Sequence, residues 1–147
     1  MPTRKSKNSP STSDPLVLEL KRKLHDTRRT VISIVPEKFR ELLRSYQYLN
    51  GKDNAWGWGE ATAGEIVALA DIHTAAEMGD LPSNSPRAQC PLCDGHSSAA
   101  AHGISGFAVP DGLKRHILGT HTSKQCDVFF AALELCREHL DELGAPR

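Results

Sequence analysis

The chain has 147 residues, of which 39% are hydrophobic and 24% charged. This is the length and composition of one ordinary globular domain, so wholesale disorder is excluded. No apolar run reaches the roughly 18 residues of a membrane span, and the 18 Lys+Arg balance 18 Asp+Glu, which excludes a surface that is basic throughout.

The balance hides an asymmetry, because residues 1–53 hold 12 Lys/Arg against 6 Asp/Glu and the remainder is acidic. A basic first third leaves room for an anionic partner; equally, the two parts can attract each other or a second copy. The first residues, 1–13, are rich in Ser, Thr and Pro and carry Arg4, Lys5 and Lys7. They read as a disordered tail, with a phosphate-touching arm or import signal as the sharper alternative. They lack the apolar stretch of a secretory signal. Four cysteines without such a signal point to an intracellular, reducing compartment, cytoplasmic or nuclear. Closely spaced cysteines there bind metal or do redox work.

A helical region is expected over 14–80. Asp14-Pro15 is an N-cap followed by proline at the first helical position. Val17, Leu20, Leu24, Thr27, Val31 and Ile34 then recur at spacings of three and four, among Lys21, Arg22, Lys23, Arg28 and Arg29. The stripe reads either as a helix packed on its own domain or as a self-association helix over 17–34. The β-branched run from Val31 to Val35 also fits an extended end. Pro36 stops or restarts the helix, Phe39, Leu42, Leu43 and Tyr46 make a further apolar stripe, and Asn50-Gly51 ends it. Asn54 to Gly59 reads as a loop whose Trp56 and Trp58 either stack on a base or sugar or anchor a small core. Thr62-Ala63-Gly64-Glu65 is a capping box, predicting a helix to about Met78 with His73 on its buried face. A linker is expected over 81–89.

The chemistry concentrates after that linker. Cys90-Pro91-Leu92-Cys93 is a turn whose two thiolates can grip one metal from one side, and His116 and His121 offer two imidazoles separated by four residues. Five residues separate Phe107 from Leu113, and two more separate Leu113 from His116. This run resembles the second half of the two-cysteine, two-histidine zinc finger. The resemblance covers 90–121 and implies a ββα-like module. In it Cys90, Cys93, His116 and His121 bind zinc, and Phe107 packs against Leu113. The chain departs from that family in its 22 residues between Cys93 and His116, where the family has about 12. The expansion lies before Phe107 and brings in His96 and His102 as rival ligands; Cys126 is another.

From 122 to 147 the sequence predicts a C-terminal amphipathic helix. Thr122-Ser123-Lys124-Gln125 reads as its capping box, and Cys126, Phe129, Leu133, Cys136, Leu140 and Leu143 form its apolar stripe. A Cys126–Cys136 disulfide fails on geometry, since ten helical residues span about 15 Å and a disulfide needs Cα atoms within about 7 Å. The fold class expected is therefore mainly α, a helical bundle-like chain with one small zinc module and a long final helix.

Enzyme signatures are missing: there is no H-x-E with P-C-x-x-C, no H-E-x-x-H, no P-loop and no G-x-S-x-G. No catalytic residue is assigned. In the resembled family, helix positions contact bases, and the alignment places Val109, Gly112 and Arg115 there, with only Arg115 able to pair bidentately with guanine. Lys114 and Lys124 are placed to touch phosphate. The sequence thus leaves two readings. One is a factor binding duplex DNA or another nucleic acid through Arg115, Lys114 and Lys124 with help from the basic N-terminal helix. The other is a structural zinc module in a protein–protein adaptor, partnered or self-associated through the 17–34 stripe.

Overall fold

The structure, a computed structural model, describes residues 14–74, 86–95 and 106–144. The tail over 1–13, most of the expected linker, and the expanded loop with His96 and His102 lie outside the described residues, as does Met78. The chain is mainly helical, with five α-helices and a small three-stranded sheet among the described residues.

Helix α1 spans Pro15–Ser33, and the Asp14 carboxylate caps it by accepting the Leu16 N–H at 2.9 Å. Its β-branched end is not extended: the helix runs through Ser33 and closes in a turn at Ile34 and Val35, with Ile32 and Val35 drawn into the core. The expected stripe is only partly covered: Val17 and Val31 are half-buried, while Leu20, Leu24 and Ile34 are exposed. Pro36 restarts the chain as α2, Glu37–Leu43, which buries Phe39 and Leu43. A 3-10 turn over Ser45–Tyr48 follows and buries Tyr46.

Helix α3 spans Ala55–Leu69 and so begins seven residues before the capping box at Thr62. Asn54 is the true cap, accepting the Gly57 N–H at 2.6 Å. Local propensity disfavours two glycines near a helix start, and tertiary packing overrides it. Buried Gly59 faces the last helix, where a Cβ would make ordinary contacts with Leu133 at 3.5 Å and Phe129 at 3.7 Å. Trp58 stacks on Phe129, centroids 5.8 Å apart, and its indole N–H donates to the Ser45 hydroxyl at 2.9 Å. Trp58 is thus the core anchor, while Trp56 is exposed. The helix stops at Leu69 instead of running on, and His73–Thr74 is strand β1.

The sheet takes the order β1-β2-β3, antiparallel throughout. Strand β2, Pro86–Ala88, lies inside the expected linker, and β3 is Phe107–Ala108, with Ala88 opposite Phe107. Helix α4 spans Asp111–Leu118 and α5 spans Asp127–Glu142. The Thr122–Gln125 stretch does not cap α5. The Thr120 hydroxyl instead gathers the N–H groups of Thr122 and Ser123 into a turn, and Cys126 is the N-cap residue without a side-chain cap.

One hydrophobic core runs through the helical part and the small sheet alike. It joins Ile32, Leu43, Trp58 and Ile66 to Phe107, Leu113, Ile117, Phe129 and Leu140. Phe107 and Leu113, the expected core pair, are both buried. Helices α1 and α5 are further joined by charge. Glu138 accepts from Arg28 and pairs with His25 at 2.6 Å, while Glu134 lies 3.9 Å from Arg28.

Candidate metal centre

The strand–knuckle–strand–helix order places the chemistry. After β2 the chain makes a tight turn at Cys90-Pro91-Leu92-Cys93. The Asp94 N–H donates to the Cys90 carbonyl at 2.8 Å and the Cys90 N–H to the Gly95 carbonyl at 3.2 Å. Asp94 takes a positive φ of 58° to close it. Gly95 leaves the room that Cys93 uses, since a Cβ there would stand 3.1 Å from the Cys93 sulfur. Strand β3 then brings Phe107 under α4, where its ring stacks on the His116 imidazole with centroids 4.3 Å apart. That stacking fixes the imidazole plane and leaves its Nε2 facing Cys93.

Cys90, Cys93, His116 and Cys126 converge, with all four donor atoms within 4.8 Å of one another. The Cys90 and Cys126 sulfurs are 3.9 Å apart, and the Cys93 sulfur is 3.3 Å from His116 Nε2. A tetrahedral ion with metal–sulfur bonds of about 2.3 Å and metal–nitrogen bonds of about 2.0 Å sets its donors about 3.5–3.8 Å apart. The cluster therefore has the size of a four-coordinate site. Cys90 and Cys126 are buried and Cys93 is exposed.

Three of the four ligands expected from the sequence meet here; the fourth, His121, does not. Gly119 ends α4 between the two histidines with φ +80°, and His121 lies beyond it, exposed. The chain then doubles back, and the Cys126 N–H donates to the His116 carbonyl at 2.9 Å. This bond lays the Cys126 sulfur beside the Cys90 sulfur in the place expected for an imidazole. The turn requires glycine: a Cβ at Gly119 would meet the backbone of Gln125 at 3.1 Å. Spacing alone makes Cys126 no more than a rival ligand. A signal for it is present all the same, because a glycine stop between His116 and His121 removes the second histidine from the helix.

The thiols show why this group suits a cation. The Cys126 thiol is pulled far below its ordinary range, first by the hydrogen bond from Cys90 and further by His116, against the opposing effect of burial. Cys90 is pushed up by that same bond and by burial, and burial raises Cys93. The Cys90–Cys126 bond thus favours ionisation of one sulfur of the pair and opposes that of the other. Carrying three thiolates this close requires a positive charge among them.

The residues expected to touch nucleic acid are scattered differently. Lys114 and exposed Arg115 line a cleft of about 340 Å³ with Trp56, Glu60 and Asp111. Lys124 is apart from them on the loop before α5, paired with Asp127 at 3.1 Å. Helix α3 packs against α4, so α4 does not stand free as a finger helix would. Among the described residues no helix is long and apolar enough to cross a membrane. Comparison with known proteins gives no match, whether to a family model, a curated protein or a solved structure.

Proposed function

We propose that Cys90, Cys93, His116 and Cys126 hold one Zn2+ as a closed structural centre, and that the protein is a zinc-stapled interaction module rather than an enzyme. The convergence of four protein donors at tetrahedral spacing carries this reading. Three thiolates and an imidazole are a soft set that selects zinc over magnesium or calcium. Four protein ligands leave no open position for a reacting water. The donors come from the knuckle after β2, from α4 and from the start of α5, so the ion ties the sheet to the helices.

Binding of a protein partner is favoured by α1. Leu16, Leu20 and Leu24 follow one another at helical spacing and are 64%, 56% and 48% exposed. Lys21, Arg22 and Lys23 stand among them, all exposed. An apolar row edged by cations fits an amphipathic helix of acidic character, which would bury its leucines and pair its carboxylates. A second copy of α1 would bring cation against cation. The test is titration with an acidic, leucine-patterned helical peptide. Binding by the wild type, weakened about tenfold or more in Leu20→Glu/Leu24→Glu, supports the reading. Equal binding by the two proteins overturns it, and concentration-dependent dimerisation abolished by the same variant would assign the row to a second copy.

One observation favours nucleic acid as the second reading: exposed Trp56 shares a cleft with Lys114 and Arg115, an aromatic face beside two cations. Glu60 and Asp111 line the same cleft and offset that charge, which is why this reading ranks second. Oligonucleotide affinity that falls steeply with salt and is lost in Arg115→Ala would raise it above the first.

A further inference from the structure

A second site lies away from the cysteines, where α1, α2, the 3-10 turn and α5 meet. A cleft of about 270 Å³ there is lined by Arg29, Arg40, Arg44, Tyr46 and Gln47, with Leu135 as an apolar wall and no carboxylate in its lining. The described residues lining this hollow thus supply three guanidinium groups and no carboxylate, and only Arg44 has an anionic partner, Glu41, outside the hollow. Arg40 spends one nitrogen on the Ser33 carbonyl at 3.1 Å, and Arg44 reaches sideways to Glu41 at 2.9 Å; each keeps further N–H donors. Among the described residues Arg29 makes no ion pair or hydrogen bond.

A second, independent observation adjoins this cleft. A neighbouring hollow of about 220 Å³ shares Arg29, Tyr46 and Gln47 with it and adds His139. Among the described residues the Nε2 atom of His139 has no hydrogen-bond partner; it is buried in the wall of this hollow rather than open to it, so a small shift of the ring would bring an unpaired polar atom to the ligand. Glu138 and Glu142 also line this second hollow, so its charge is mixed where the first is cationic.

We propose that this composite cleft binds a phosphomonoester, with the dianionic phosphoryl group among Arg29, Arg40 and Arg44 and the group it esterifies directed toward Tyr46 and His139. Guanidinium groups match phosphate oxygens two at a time, which is the reason for choosing phosphate over a carboxylate ligand. The first hollow falls just below the range of about 300–1,000 Å³ typical of small-molecule sites. It holds a phosphoryl group and a few further atoms, and not a whole nucleotide. The phosphoryl group can come from a small phosphorylated metabolite or from a phosphorylated side chain, and the chemistry recognised is the same.

The experiment is an amide and arginine side-chain NMR titration of the full-length protein with inorganic phosphate, against chloride at constant ionic strength. Saturable shifts at Arg29, Arg40 and Arg44 are expected, with affinity reduced about tenfold or more in Arg29→Gln and unchanged in Arg22→Gln, an exposed control on the same helix. With no internal bond to lose at Arg29, the variant is expected to keep the wild-type melting point. Absence of saturable shifts, or equal loss in both variants, overturns the proposal. A second arm compares O-phosphoserine with a phosphoserine peptide. Tighter binding of the peptide assigns the phosphoryl group to a protein partner, equal binding assigns it to a small molecule, and failure of both overturns the site.

Discussion

Cys136 has a different role from the other three cysteines. It is fully buried on α5, and burial pushes its thiol up to about 11 from 9.0. The unfolded thiol ionises first as pH rises, so the stability owed to this group is complete below pH 9.0 and is lost as pH climbs toward about 11. Melting temperature measured across that window is expected to fall more steeply in the wild type than in Cys136→Ala; parallel slopes would mean the thiol is solvated. At the same scale, His116 is legible in the sequence through the resemblance of the Phe107, Leu113 and His116 spacing to a zinc finger's helical half. Ligand spacing alone misplaces His121, since it takes no account of the glycine between the histidines. Cys126 is legible as a buried thiol on an apolar stripe. Its place beside Cys90, Cys93 and His116 depends on a return of the chain that no periodicity encodes.

At the scale of elements, the loop from Gly119 to Cys126 decides whether the centre forms. Gly119 needs its positive φ, and a side chain there would press on the Gln125 backbone. Gly119→Ala is expected to cost about 1–3 kcal/mol of stability, the usual range for such strain, and to weaken metal retention, both read by thermal melting with and without a chelator. A variant as stable as the wild type would show that the loop takes another path. The elements themselves are unequally legible. Asp14-Pro15 marks α1 plainly, because cap and proline agree there, and the apolar period from Phe129 through Leu140 marks α5. The start of α3 is hidden because Gly57 and Gly59 look like loop residues. Only long-range packing, which sets Gly59 against Phe129 and Leu133, draws that stretch into a helix. The two- and three-residue strands β1, β2 and β3 are too short to leave an alternating pattern, so β2 passes for linker.

For the whole molecule, the mainly helical class follows from the sequence, and the single shared core does not. A free-standing finger carries its own miniature core, whereas here Phe107, Leu113 and Ile117 belong to the same buried cluster as Ile66 and Phe129. An ion held by the four donors would therefore stabilise more than a local turn. Structural zinc sites bind with apparent free energies of roughly 10–16 kcal/mol, against a typical domain stability of about 5–15 kcal/mol. Chelation is thus expected to loosen α4 and α5 together with the sheet, rather than the knuckle alone; hydrogen exchange that quickens only at the knuckle would show the core to be independent of the ion.

The most direct measurement is zinc per chain, by metal analysis, in the wild type, His121→Ala and Cys126→Ser, with cobalt substitution of the wild type to count thiolate ligands from its charge-transfer absorption. The assignment of Cys90, Cys93, His116 and Cys126 predicts one zinc in the wild type and in His121→Ala, loss of zinc in Cys126→Ser, and a three-thiolate cobalt spectrum. Zinc retained in Cys126→Ser and lost in His121→Ala, with a two-thiolate spectrum, would contradict it.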